Sequence, residues 1–436
     1  MVGKYFEFER HGASLKVETV AGVTTFLTMA YIIFVNPNIL SDAGMDKNAL
    51  IAVTCIVSAI STIAAGVFAN APIAMAPGMG LNSFFAYSLV AKEQITWQTA
   101  LGAVFISGLF FLVLTMIGLR KKLVEAIPAG LISAIAVGIG LFIAFIGLGN
   151  LGLVLRDEKT LFALGDLTKA TVWIGLLGLA VMIALGALRV TGSLLIGIFF
   201  ATMVGALFGY VARPAGWISL DWPVDKLALH LDILGAMKIS LWGSIFTLMF
   251  IDLFDSIGTL VACCEKAGMR DERGQIRALD RLLGIDAIAT MVGALFGTST
   301  TTSYVESAAG IEQGGRTGLT SVVTGVLFLL AMLFIPVIAV VPGYATAPAL
   351  IVVGYFMMRE ARKINVRKVD ELIPSLVIVV MIAVSYQISM GLALGFVSFV
   401  VLKLVLGRYK EIHGAMWIIA GLSVVFLAIR WWPAGP

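Results

Sequence analysis

The sequence predicts an all-α polytopic membrane protein of about 14 transmembrane segments, arranged as a 7+7 inverted repeat whose third and tenth segments are broken. Three observations carry this. Of the 436 residues, 60% are hydrophobic and 13% charged, against about 25% charged in soluble domains. No polar stretch exceeds about two dozen residues, too short for a soluble domain. Apolar runs long enough to span recur along the chain. The halves are also similar: shifting 27–40 by 220 positions sets Met29 on Met249, Phe34 on Phe254 and Leu40 on Leu260.

Met1 to Glu18 carries Lys4, Arg10 and Lys16 and reads as a cytoplasmic lead-in without a cleavable signal. Span 1 covers about 19–40 and span 2 about 49–69. The third segment, 71–85, holds Pro72, Pro77, Gly78 and Gly80, which break the run before a helix settles. It reads as an extended piece followed by a half-helix, with Asn82 near its N-terminal end. Spans 4 to 7 follow at about 99–119, 129–148, 171–188 and 192–211.

The second half repeats the plan. Span 8, about 239–261, holds Asp252 and Asp255; span 9 covers about 282–297. A hydroxyl-rich break, 298–310, carries Thr302, Tyr304 and Glu306 where the Pro-Gly break stands in the first half. Spans 11 and 12 cover about 319–335 and 345–358, spans 13 and 14 run up to Gly407, and an apolar run from Ala415 to Trp432 is left over.

Basic residues set the orientation. If every segment crosses, the loops with Arg120–Lys122, Arg189, Lys266–Arg281, Arg316, Arg359–Lys368 and Arg408/Lys410 share the N-terminal side, the cytoplasm. An odd number of segments per half makes the repeat inverted, a secondary-transporter design.

The acids point to the site. An Asp at a helix centre in the bilayer costs about 2.5–3.5 kcal/mol on the mildest scales, so a span that keeps two uses them. Asp252, Asp255 and Thr259 are spaced three and four apart and share one helix face. Glu306 lies in the irregular backbone of the tenth segment, which is tolerated at membrane depth only in protein or along a cavity. The two stretches are expected to meet.

Other chemistries find little support. The net charge of +4 belongs to loop placement, and no nucleic-acid partner is expected. Cys55, Cys263 and Cys264 make neither a disulfide framework nor a metal spacing. The three histidines lie outside the spans, which argues against a histidine proton relay. A channel would want a polar stripe along several spans, and an enzyme a nucleophile–base set or a metal cluster. No cofactor is expected.

The stretches Thr24–Ile32, Asn70–Asn82, Asp252–Thr259, Tyr304–Ser307 and Gly314–Thr320 resemble the AzgA-like purine permeases, a branch of the nucleobase–cation symporter family two, the nucleobase/ascorbate transporters. The resemblance implies short strands paired with half-helices in segments 3 and 10. It implies a core domain of 19–119 and 239–336 and a gate domain of 120–238 and 337–410, with 1–18 and 411–436 outside both. The substrates implied are adenine, guanine and hypoxanthine, carried with protons by alternating access. Asp255 and Glu306 take the places of the base-binding acids, and Asp252 is an extra acid of the branch. Asn82 matches a purine-binding asparagine, and Tyr304, Thr302 and Gly80 complete the expected contacts. Asp252, Asp255 and Glu306 are the proton-coupling candidates. Xanthine, uracil or an anion as cargo, and sodium as the coupling ion, are the alternatives. An anion exchanger of this architecture would replace the site acids. The expected location is the cell membrane, the inner one in a bacterium, with lipid as surroundings and a homodimer as an option.

Overall fold

A computed structural model describes residues 2–118, 126–157, 161–270, 276 and 278–431. Arg120, Lys121, Lys122, Lys159, Arg273, Arg277 and Trp432 lie outside the described residues.

Helices begin where side chains satisfy their free N–H groups. After two short helices, α1 (Leu15–Met29) opens on Ser14, whose hydroxyl accepts from Val17 N at 3.3 Å, and α2 (Ile32–Ser41) continues it. Asp46 accepts from Ala49 N at 2.9 Å and starts α3 (Lys47–Ala69), which Asn70 ends in the left-handed region. The chain then runs straight through β1 (Met75–Pro77) into α4 (Met79–Ser83), which widens into a π-helix over Phe84–Lys92. Next come α5 (Trp97–Met116), α6 (Ala129–Asn150), the hairpin β2 (Val154–Asp157) and β3 (Leu161–Leu164), α7 (Ala170–Ala187) and α8 (Ser193–Leu207).

The second half gives α9 (Trp242–Lys266), α10 (Leu279–Phe296), β4 (Thr301–Ser303), α11 (Ser307–Glu312) and α12 (Gly318–Ala331). It closes with α13 (Gly343–Met358), α14 (Val369–Ser385), α15 (Ile388–Val405) and α16 (Gly414–Trp431). Among the described residues, eight stretches are long and apolar enough to cross a membrane unaided, and α8 and α16 are apolar but shorter. The 7+7 plan is present, with short strands in both broken segments.

The two breaks meet. β1 and β4 pair antiparallel, with Met75 opposite Ser303, Ala76 opposite Thr302 and Pro77 opposite Thr301. Gly78 N donates to Thr300 O at 3.0 Å and Tyr304 N to Ala74 O at 2.9 Å, which extends the ladder. Extended backbone at membrane depth thus satisfies its own polar groups.

Helices pack in two groups. In the first, α1, α3, α5, α10 and α12 interlock and α9 joins them; in the second, α6, α7, α8, α13, α14 and α15 do. Within the first, α3 and α12 cross at bare backbone: a Cβ on Gly318 would stand 1.9 Å from Gly66 O. Small residues allow such close crossings in membranes.

Three features differ from the sequence reading. The first helix starts at Leu15 rather than 19, because Glu18 leaves solvent to cap α12. Its carboxylate accepts from Arg316 N at 2.9 Å, Thr317 N at 3.2 Å and Thr320 Oγ1 at 2.6 Å. The polar loop after segment 5 folds into the β2–β3 hairpin, with Phe162 stacked on Phe145 at 5.3 Å. The leftover run forms α16, which packs along α15.

Candidate functional site

α9 supplies one wall of the site and the β4–α11 turn the other. Asp255 is exposed and Glu306 half-exposed, although both lie on membrane-spanning segments. Gly258, one turn further along α9, has open space over it, and Val305 is 58% exposed. Asp255 and Glu306 are electrostatic neighbours across these two walls. The sequence expectation that the two stretches meet holds in this geometry: Thr302 Oγ1 reaches Asp255 Oδ2 at 3.5 Å and Ser256 Oγ at 2.9 Å.

Asp252 is enclosed instead, 2% exposed. Thr290 Oγ1 donates to its Oδ2 at 3.2 Å, and Ser256 Oγ stands 3.5 Å from its Oδ1. Beside it is an acid the sequence reading passed over, Asp286 on α10, which is fully buried. Ser256 Oγ donates to Asp286 Oδ2 at 2.5 Å, and Ser303 Oγ to Oδ1 at 3.3 Å. A buried carboxylate without donors would be costly; here hydroxyls from α9, α10 and β4 converge on two. The signal that flagged Asp252, a charge inside an apolar run, was present at Asp286 as well.

Tyr31 lies in the Thr24–Ile32 stretch, between α1 and α2. Its hydroxyl donates to Glu306 Oε1 at 2.6 Å, a short bond of the charge-assisted kind. It ties the junction of α1 and α2 to the turn before α11. Tyr304 is 6% exposed, and its hydroxyl donates to Pro77 O at 2.5 Å, pinning β4 to the end of β1.

Asn82 and Gly80 stand differently from expectation. Asn82 is fully enclosed, and its carboxamide oxygen accepts from Ser299 Oγ across the two breaks; its Nδ2 has no partner among the described residues. This bond braces the crossing. A Cβ on Gly80 would stand 2.8 Å from Ile139 Cγ2, so this residue lets α4 lie close against α6. Thr28 returns its hydroxyl to Thr24 O and Thr25 O, and Arg316 bonds Ile311 O and Gly315 O as a loop anchor.

The apolar stripe of α9 lies on another side of the helix. Phe254 and Phe250 stack at 6.2 Å and 12° along α9. Carboxylates with acceptor capacity to spare suit an uncharged ligand with several N–H donors. Among the described residues no group of three or more His, Cys, Asp or Glu is placed to hold a metal ion.

Comparison with known proteins agrees. The permease family matches residues 16–394. The adenine permease AdeP of Escherichia coli is 40% identical over 98% of this chain and 95% of its own. The guanine/hypoxanthine permease PbuG of Bacillus subtilis is 40% identical over 97% and 98%. The nucleobase transporter PlAzg2 of Paenibacillus larvae is 38% identical over 88% and 76%. Among solved structures, the transmembrane domain of the cyanobacterial bicarbonate transporter BicA aligns with TM-score 0.63 at 16% identity, over 86% of this chain and 97% of that one. Murine Slc26a9 in its inward-facing state aligns with TM-score 0.66 at 10% identity, over 90% and 69%. These two share the fold alone. The carboxylates of α9 and of the turn before α11 thus stand in an integral membrane protein, a transporter and not an enzyme, and the chain belongs to the permease family of nucleobase/ascorbate transporters.

Proposed function

We propose that this protein imports purine nucleobases (adenine, guanine and hypoxanthine) by proton symport. The observation that carries the reading is the pair Asp255 and Glu306, brought close at membrane depth by α9 and the turn before α11. The names of the relatives, adenine and guanine/hypoxanthine permeases, point the same way.

In this reading the purine edge donates its N–H groups to Glu306 and Asp255. Tyr31 orients Glu306, and Tyr304 and Asn82 hold the crossing of β1 and β4 in register. Gly80 keeps that crossing close to α6. Thr302 and Ser256 form a hydroxyl chain from the open Asp255 to the enclosed Asp286 and Asp252. A proton taken up with the base is shared along this chain. The first helix group moves as the core against the second as the gate. The N-terminus and the loops bearing Lys266 and Arg359–Lys368 face the cytoplasm, across a bacterial inner membrane. Neutral or basic site residues would favour an anion; the acids here favour the base.

The test is uptake of labelled adenine challenged with unlabelled guanine, hypoxanthine, xanthine and uracil, with internal pH recorded. Competition by the first two, cytoplasmic acidification during uptake and collapse with an uncoupler are expected. Uptake that survives the uncoupler and follows sodium would overturn the proton assignment, and competition by uracil alone would overturn the purine assignment.

A further inference from the structure

A carrier that works between two groups of helices keeps one end closed while the other gives access to its site. The two ends of this molecule differ in that respect. Asp255 and Gly258, in the half of α9 that stops at Lys266, are exposed, and so is Val305 beside Glu306. At the opposite end α2, the π-helix, α6 and α14 stop and α13 begins. There, hydrogen bonds join the two helix groups. α2 packs on α3, and the π-helix on α4 and α5, so both belong with the first group.

Three contacts make the joint. Asn38 Nδ2 on α2 donates to Thr346 Oγ1 on α13 at 2.9 Å. Asn150, the last residue of α6, donates from Nδ2 to Tyr87 Oη on the π-helix at 3.5 Å, and Tyr87 donates in turn to Asp42 Oδ2 at 2.7 Å. The third contact is made to bare backbone. α14 ends where Tyr386 turns into the left-handed region, at φ 55°, and the last carbonyls of a helix have no N–H partner within it. Two side chains of the π-helix supply donors: Ser88 Oγ to Tyr386 O at 3.4 Å, and Lys92 Nζ to Ser385 O. A lysine at this end of a helix also meets the negative pole of its dipole.

Among the described residues no hydrogen bond or ion pair joins the two groups at the Lys266 end. Between the ends the groups meet through rings, Phe34 with Phe199 at 5.6 Å and Phe250 with Phe396 at 6.1 Å. The polar joint lies where water reaches, since Asn150 and Lys92 are exposed. A hydrogen bond broken there is replaced by bonds to water, so the joint parts at modest cost and without unpacking a core.

We propose that Asn38–Thr346, Tyr87–Asn150 and the seat of Ser88 and Lys92 on the end of α14 form one latch. It closes this end of the molecule while Asp255 and Glu306 are accessible from the other, and it parts when the groups shift. The proposal rests on the movement of core against gate put forward above, and it does not depend on which base is carried.

The experiment uses the full chain in lipid nanodiscs without substrate and reads cysteine labelling by a water-soluble maleimide. The reporter is Ala349→Cys, fully buried on α13 and three residues on from Thr346, on the same side of the helix. The native Cys55, fully buried in α3, reports on the fold. Thr346→Val and Lys92→Met each remove one bond, at separate contacts. Each is expected to speed labelling at the reporter by about twofold to tenfold, with Cys55 still protected. Lys92→Met acts on α14, so its effect at α13 shows that the contacts open together. If neither variant changes the reporter, or only Thr346→Val does, the contacts are not one latch and the proposal falls. If Cys55 labels faster in step with the reporter, the bonds hold the fold and not a moving joint, and the proposal falls as well. Failure of the purine reading would appear instead in the uptake competition and would leave these rates unchanged.

Discussion

Four acids sit at membrane depth near the crossing of the two breaks, and they divide into two pairs. Asp255 is exposed and Glu306 half-exposed; one accepts from a threonine at 3.5 Å and the other from a tyrosine at 2.6 Å. Asp252 and Asp286 are sealed, 2% and 0% exposed, inside a shell of hydroxyls from Thr290, Ser256 and Ser303. The residue type is the same and the surroundings are opposite. An exposed acid whose bonds are incomplete has acceptor capacity left for a ligand. An enclosed acid surrounded by donors has little, so its charge bears on stability and on protons. Position relative to the crossing, not residue type, assigns the role.

The comparison can be broken by mutation. Glu306→Gln keeps size and removes charge from the open pair. Purine affinity should fall by about one to two decades while the melting temperature stays put, as calorimetry and thermal melting would read. Asp286→Leu strikes the sealed pair. It strands the Ser303 hydroxyl and takes the shortest acceptor from Ser256, and stability should drop by about 1–3 kcal/mol. If Glu306→Gln lowered the melting temperature as much as Asp286→Leu, the division would collapse.

Smaller changes sharpen it. Tyr31→Phe removes the donor that orients Glu306, and affinity should weaken by up to about tenfold without loss of fold. Asp252→Asn keeps an acceptor oxygen in the sealed shell. It should move the pH dependence of uptake more than the affinity, which uptake measured across pH beside binding would show. Far from both pairs, at the joint of α15 and α16, Glu411 accepts from Arg408 Nε at 2.7 Å and Lys403 Nζ at 2.6 Å. Arg408, then Lys403, holds its carboxyl down at about 2, below the usual carboxylate range near ~4.3. That stabilisation is present above the ordinary range and lost as pH falls toward the lowered value. Melting of the Glu411→Gln protein should therefore depend less on acid than that of the parent, the smallest effect of the five.

Much of this architecture is legible from the chain alone. The 7+7 plan follows from apolar runs and two interruptions, because a bilayer demands length and punishes irregular backbone. Asp252, Asp255 and Glu306 were visible as charges in spans. Asp286 carried the same signal without a neighbouring motif and was passed over. Glu18 read as part of a polar lead-in, since nothing local says that a helix start 299 residues onward needs an acceptor.

What the sequence by itself determined is where the chain can cross, where it must break and which charges are placed at depth. These depend on short-range properties: hydropathy, proline and glycine, and the spacing of three and four along a helix. Only the tertiary structure decided which acids are exposed and which are sealed. It turned Asn82 toward Ser299, placed Gly80 against Ile139, and joined Tyr31 to Glu306 across 275 positions. It also laid α16 over Gly243. Each is a contact between segments distant in the chain, created when β1 and β4 pair and the two halves interlock.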